Sequence, residues 1–190
     1  MIYNLSLYGP LQLLFFSSFW RTRPATATTK PGALSSVEID KLLSMTIIAN
    51  LGTTDDDGSI HLLPMWFMRI GNQICIPTSH HTQKYRNLRA RPRGSVMIDV
   101  SKAGLNLKGV LIRGKVKLVD GEEAQQINRS IHLKYVTLEA LKDPNVTSYL
   151  SKGDDITIKI SIDHLTSWNL ADSKAGQAVY AGGWYHPLEG

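Results

Sequence analysis

The chain has 190 residues, of which 43% are hydrophobic and 19% charged, a composition typical of one globular domain with a sizeable core. Its net charge of +5 favours an anionic partner. The basic residues are dispersed except in residues 84–93, so we expect a phosphorylated small molecule and no nucleic acid. The single cysteine, Cys75, excludes an intrachain disulfide and a cysteine metal cluster, and it fits a reducing, cytoplasmic location.

The N-terminal residues lack the regular pattern of the rest of the chain. Residues 11–20 are apolar but too few to cross a bilayer, so we expect no membrane span. Arg21 and Arg23 follow this run, the reverse of the order in a secretory signal. Residues 24–32 read as a linker. We therefore predict an N-terminal extension over residues 1–34 and a folded domain over residues 35–190.

From Ser35 onward the sequence predicts regular elements. Ser35 and Glu38 form a capping box for a short helix that ends near Met45. Two further helices are predicted over residues 82–91 and from residue 120, and a helical piece over residues 138–150. Apolar alternation predicts six strands, over residues 47–53, 59–69, 73–78, 95–100, 105–119 and 154–168. Six strands with few, short helices indicate a mainly β fold, an antiparallel barrel with helices packed on its outside.

The segment over residues 78–88 carries the strongest chemical signal. Three hydroxyls end an apolar strand and a cationic helix follows at once. A helix start offers unpaired backbone N–H groups and the positive end of the dipole, which suit a phosphate. The predicted phosphate ligands are Thr78, Ser79, Thr82 and Lys84. The structural alternative is an ordinary hydroxyl cap with a solvated helix face.

Four segments in this order resemble one known family. They are residues 57–67 (DGSIHLLPMWF), residues 82–88 (TQKYRNL), residues 108–114 (KGVLIRG) and residues 166–168 (TSW). Together they look like the pyridoxamine-phosphate-oxidase-like split barrels, also called flavin/deazaflavin oxidoreductases, over about residues 36–170. The resemblance implies a six-stranded split barrel that forms a homodimer with two flavin sites at the interface.

The resemblance also implies roles for particular residues. The segment after the third strand, with Lys84 and Arg86, would hold the cofactor phosphate, and the main chain at residues 64–67 would border the isoalloxazine ring. Pro64 has a simpler explanation too, because an edge strand or a bulge tolerates proline. The residues implied beside the ring are Pro64, Met65, Trp66, Phe67 and Trp168. Trp66 and Phe67 point to opposite faces of a regular strand, so at most one side chain lines the ring.

The function that follows from the resemblance is an FMN-dependent oxidoreductase acting on a small organic substrate by hydride transfer. No side chain is required as a catalytic acid or base, because the cofactor carries the reaction. The alternatives are a deazaflavin-dependent reductase, whose acidic tail would suit Arg86, Arg89 and Arg91, and a flavin or haem binding protein without turnover. No metal is expected, because His80 and His81 are adjacent and so diverge, with no ligand at an i, i+4 spacing.

Overall fold

The structure, a computed structural model, describes residues 32–100, 107–153 and 155–184. Its helices are α1 (Ser36–Ser44), α2 (Gln83–Ala90), α3 (Gly121–Tyr135), α4 (Pro144–Gly153) and α5 (Lys174–Gly182), with short 3-10 helices at Ala140–Lys142 and Leu170–Asp172. Its strands are β1 (Ala49–Thr54), β2 (Ile60–Met65), β3 (Met68–Ile70), β4 (Gln73–Thr78), β5 (Arg93–Asp99), β6 (Lys108–Val119), β7 (Ile156–Ser161) and β8 (His164–Asn169).

The strands form two antiparallel sheets that share the long strand β6. The first sheet runs β2-β1-β5-β6-β8, and the second runs β6-β7-β4-β3. Residues 108–113 of β6 pair with β8, and residues 116–119 pair with β7. Joined through β6, the two sheets curl into a half-barrel, and β2, β3 and β8 are each paired on one side only.

Gly114 lies where β6 passes from one sheet to the other. A Cβ atom added at Gly114 would lie 1.7 Å from the backbone oxygen of Ser161. Only glycine permits that approach, so this residue lets β6 bend close to β7.

The core lies between the sheets and is closed at one end by α1. Phe67, Ile112 and Ile158 are fully buried there, and α1 adds Leu42 and Leu43. The predicted capping box is confirmed, since the Ser35 Oγ accepts from the Glu38 N–H and the Glu38 carboxylate accepts from the Ser35 N–H. Lys108 Nζ donates to Glu38 at 2.8 Å and ties α1 to β6.

The mainly β half-barrel with outer helices confirms the predicted fold class, but two of the six predicted strands are each divided. Residues 59–69 become β2 and β3, because the chain leaves the ladder at Trp66 and Phe67. Residues 154–168 become β7 and β8, which follow one another along β6 with a bend at Ile162 and Asp163. There the Asp163 carboxylate accepts the Lys115 N–H at 3.0 Å in place of a ladder carbonyl. These two divisions account for eight strands instead of six.

The predicted division into an extension over residues 1–34 and a folded domain over residues 35–190 stays a prediction. Residues 1–31 lie outside the described residues, as do residues 101–106, which include the predicted start of β6. Leu34, assigned to the extension, is 3% exposed in the core, and its N–H donates to Ser167 Oγ at 3.0 Å. Helix α5 was not predicted. No helix among the described residues is long and apolar enough to cross a membrane.

Candidate functional site

The junction between β4 and α2 gathers the three predicted hydroxyls. Thr78 and Thr82 place their Oγ1 atoms 3.0 Å apart, and Thr82 caps α2 by accepting from the Tyr85 N–H. The Ser79 carbonyl accepts from the Thr82 hydroxyl at 2.8 Å, and the Ser79 Oγ accepts from the His81 N–H at 3.3 Å. The hydroxyls thus form one compact network at the helix start, where no acidic residue occupies the first turn.

The basic residues of α2 and of its C-cap make different contacts. Arg86 folds back on the helix start, where its guanidinium donates to Gln83 Oε1 and, at 2.9 Å, to the His81 carbonyl. Arg91 donates to the Thr54 carbonyl and to Asp56, both in or beside the β1–β2 hairpin. Lys84 is half-buried in the first turn, and Arg89 is exposed. Lys84 is therefore the cation placed in the first turn beside the hydroxyl network.

The inner side of α2 holds the helix on the sheet. Asn87 is 2% exposed and donates to Thr53 Oγ1 at 3.0 Å and to Asp55 at 2.8 Å. The hydrogen bond from Asn87, together with one from Gln83, lowers the pKa of Asp55. Leu88 is buried in the core. This side of the helix is structural, and it fixes the direction in which the helix start points.

The two adjacent histidines border the same junction. His80 binds Asp155 through both its backbone N–H and its Nδ1. Burial opposes the charged form of Asp155, but the hydrogen bonds from His80 outweigh it and lower its pKa. The rings of His80 and His81 lie 3.7 Å apart, so the expectation that they diverge is wrong. No group of three metal-ligating side chains occurs within the described ranges.

The second predicted group, residues 64–67, lies at the end of β2. Pro64 pairs with Asn50 on an edge strand, the setting in which a missing N–H costs least. Trp66 stacks on Tyr135 with ring centroids 4.9 Å apart and an interplanar angle of 2°. The Trp66 ring is therefore held against α3, and contact between it and a cofactor stays a prediction, as it does for Pro64 and Met65.

The end of α3 binds both backbone groups of Phe67. Its side chain is fully buried, and its N–H donates to the Tyr135 hydroxyl at 3.2 Å. Its carbonyl accepts from Lys134 Nζ at 3.1 Å, and that ammonium lies 3.9 Å from the centroid of the Phe67 ring. The Tyr135 hydroxyl also donates to the Ile47 carbonyl at 2.6 Å. Cofactor contact by Phe67 stays a prediction, and α3 already binds both of its backbone groups.

Sequence reasoning missed Lys134 and Tyr135, which hydrogen-bond the backbone of Phe67 between β2 and β3. Burial lowers the pKa of Lys134 to about 8 and raises the pKa of Tyr135. The only sequence signal for them was their place at the end of an amphipathic helix, which does not identify a partner 68 residues away.

Trp168, the third predicted element, lies within β8 and pairs with Gly109 of β6. A Cβ atom at Gly109 would lie 2.6 Å from Cζ2 of Trp168, so the indole ring covers the glycine on the outer face of the first sheet. Trp168 is half-buried there. Its role beside a cofactor stays a prediction.

Comparison with known proteins identifies the family. A model of the pyridoxamine 5'-phosphate oxidase family matches residues 36–169, a span that includes the β4–α2 junction and all eight strands. The chain belongs to this family. The resemblance seen in the four sequence segments is thereby confirmed. No curated protein matches.

Solved structures of similar fold extend this result. Protein Rv2991 from Mycobacterium tuberculosis is 25% identical, with a TM-score of 0.63 over 84% of this chain and 94% of that one. A FAD-binding protein from Mesorhizobium loti is 21% identical, with a TM-score of 0.52 over 71% and 94%. An F420 reductase is 19% identical, with a TM-score of 0.52 over 66% and 94%. The last two show the shared fold.

Proposed function

We propose that this member of the pyridoxamine 5'-phosphate oxidase family is an FMN-dependent oxidoreductase that works as a homodimer on a small organic substrate. The observation that carries the proposal is the β4–α2 junction, where the Thr78 and Thr82 hydroxyls lie 3.0 Å apart at a helix start with Lys84 in its first turn. Hydroxyls, helix N–H groups and one cation form a donor set that fits a phosphate dianion. The residues that would hold it are Thr78, Ser79, Thr82 and Lys84. Phosphate contact by Arg86, which donates to the His81 carbonyl, stays a prediction.

The remaining predicted residues would border the ring. Pro64 and Met65 end the edge strand β2, and Trp168 lies on the outer face of the first sheet. When bound, a flavin supplies the hydride chemistry, so the chain itself needs only to anchor, orient and shield it. We therefore propose that no side chain acts as a general acid or base.

Two side-chain assignments favour FMN over a deazaflavin cofactor with a long acidic tail. Arg86 and Arg91, two of the three cations expected to suit such a tail, bind carbonyls and side chains of their own subunit, whereas Arg89 is exposed. The fold shared with an F420 reductase keeps the deazaflavin cofactor as the second candidate. A haem binding protein is the third. It would need an axial ligand, and His80, at the junction, already binds Asp155.

The proposed homodimer is supported by an apolar strip on the outer face of the first sheet. Leu62 of the edge strand β2 is 60% exposed, and Met97 of β5 is 37% exposed. Exposed apolar residues that share one face of a sheet favour a protein interface. A second copy of this chain is the proposed occupant. We also propose that the protein works in the cytoplasm, which fits the single free Cys75.

The absorption spectrum of the purified protein, with mass analysis of what it releases on denaturation, tests the proposal. Flavin absorption with FMN released supports it. A deazaflavin mass supports the second candidate, and a Soret band supports the third. A protein that neither carries nor binds FMN contradicts the proposal.

Titration of the apoprotein with FMN tests the phosphate site itself. We expect Lys84→Ala to weaken binding by about 1–3 kcal/mol, roughly 5- to 150-fold in Kd, because a charge-assisted hydrogen bond is lost. The control is Lys41→Ala, which removes an exposed lysine from α1. Equal affinity of the two variants would remove Lys84 from the site.

A further inference from the structure

A shallow groove on the outer face of the first sheet contains two arginines that the proposed flavin site does not use. It crosses β1, β5 and β6 and has a volume of about 230 Å³. The floor of the groove consists of the small residues Gly52, Ser95 and Gly114. Ile60 adds an apolar side chain, and the charge of the groove comes from Arg93 and Arg113. None of the described residues that line the groove is acidic.

The register of the strands places the two guanidinium groups on one face within reach of one ligand. Arg113 pairs with Ser95, and Arg93 lies two residues from Ser95 on the same face of β5. Such diagonal neighbours on antiparallel strands are about 7–8 Å apart, a span that two arginine side chains cover easily. Two guanidinium groups that converge this way suit a carboxylate or a phosphate, which each can bind with two parallel hydrogen bonds.

The charges around the groove are unbalanced. Arg93 faces Lys115 directly across the strands, and Arg113 faces His164 of β8. The like charges of Arg93 and Lys115 in this cross-strand position destabilise the sheet. Asp163 offsets part of this positive charge. Its pKa is lowered by hydrogen bonds from the Lys115 N–H and from Ser161, and by the charges of Lys115 and Arg93. No hydrogen bond or ion pair joins the Arg113 side chain to another described residue.

We infer that the groove between Arg93 and Arg113 is a second anion site, which binds the carboxylate or phosphate group of a small organic molecule whose body rests on Ile60. The site is separate from the β4–α2 junction. None of the described residues that line the groove belongs to that junction. On β6, Arg113 lies about 13 Å along the strand from Gly109, the partner of Trp168. That the bound molecule is the substrate rests on the proposed function, whereas anion binding in the groove does not.

The test is a nuclear magnetic resonance titration of the full-length, 15N-labelled protein with inorganic phosphate and with benzoate at constant ionic strength. We expect saturable shifts of the Gly52, Ser95 and Gly114 amides. Arg113→Gln and Arg93→Gln should each weaken this binding about tenfold or more, because each removes charged hydrogen bonds. The matched control Arg129→Gln, on the exposed side of α3, should leave it unchanged.

Three other results would overturn the inference, and one would uphold it. Shifts confined to the β4–α2 junction and lost in Lys84→Ala would overturn the inference and leave the proposed function standing. Groove shifts that persist in Arg113→Gln would also overturn it. Absence of groove shifts, with dissociation of the homodimer in Arg113→Gln by light scattering, would instead assign Arg113 to the subunit contact. Groove binding in a protein that does not bind FMN would uphold the second site and contradict only the proposed function.

Discussion

Removal of one hydroxyl, in Tyr135→Phe, tests whether α3 holds the gap between β2 and β3. The ring that stacks on Trp66 is retained, so the change isolates the hydrogen bonds. The variant leaves two backbone groups without their partner, the Phe67 N–H and the Ile47 carbonyl. The Phe67 carbonyl keeps its bond from Lys134.

The size of the effect follows from burial. A buried polar group left unpaired costs about 1–3 kcal/mol. Phe67 is fully buried and carries that cost in full, whereas Ile47 is half-buried and regains part of it from water. We therefore expect Tyr135→Phe to lower the free energy of unfolding by about 2–3 kcal/mol.

The assay is urea unfolding of the apoprotein, followed by circular dichroism, with the slope compared between variants. The control is Tyr85→Phe in α2, whose hydroxyl makes no hydrogen bond to any described residue, and we expect it to change stability by less than about 0.5 kcal/mol. Equal stability of the two variants would refute the reasoning and show that the gap is held by packing alone.

Three further predictions follow from the fold. Gly114→Ala should cost about 3 kcal/mol or more in thermal or urea unfolding, because its Cβ would meet the Ser161 oxygen at 1.7 Å. The control Gly94→Ala, whose Cβ would meet a Val116 methyl at 3.5 Å, should cost less than about 1 kcal/mol. Similar costs for the two variants would contradict this account of the bend. Lys108 and Ser35 lower the pKa of Glu38 from 4.5 to about 2, so its stabilisation is complete above pH 4.5 and is lost as pH falls towards 2. Urea midpoints between pH 2 and 6 should therefore fall less steeply in Glu38→Gln than in the wild type. Burial raises the pKa of Cys75 to about 11, so a thiol reagent at pH 8 should label it only after unfolding, and fast labelling of the native protein would contradict its place in the core.

Local chemistry was sufficient for part of the candidate site. The capping box of α1 and the start of α2 were predictable because caps, hydroxyls and helix starts act over three or four residues. The alternation along β6 likewise predicted its buried face at Val110 and Ile112 and its exposed face at Arg113 and Lys115. These features require no knowledge of distant residues.

The sequence by itself determined the strand periods, the helix starts and the chemistry of the hydroxyl and lysine cluster, since all of these depend on neighbours along the chain. Tertiary structure alone decided where residues 59–69 and 154–168 divide, because Phe67 is bound by Tyr135, 68 residues away, and Lys115 by Asp163, 48 residues away. It also decided which cations remain available: Arg86 and Arg91 bind their own chain, whereas Arg93 and Arg113 come together on one face only when β5 pairs with β6. Hydrogen bonds and charges between distant residues depend on strand register, which local periodicity does not specify.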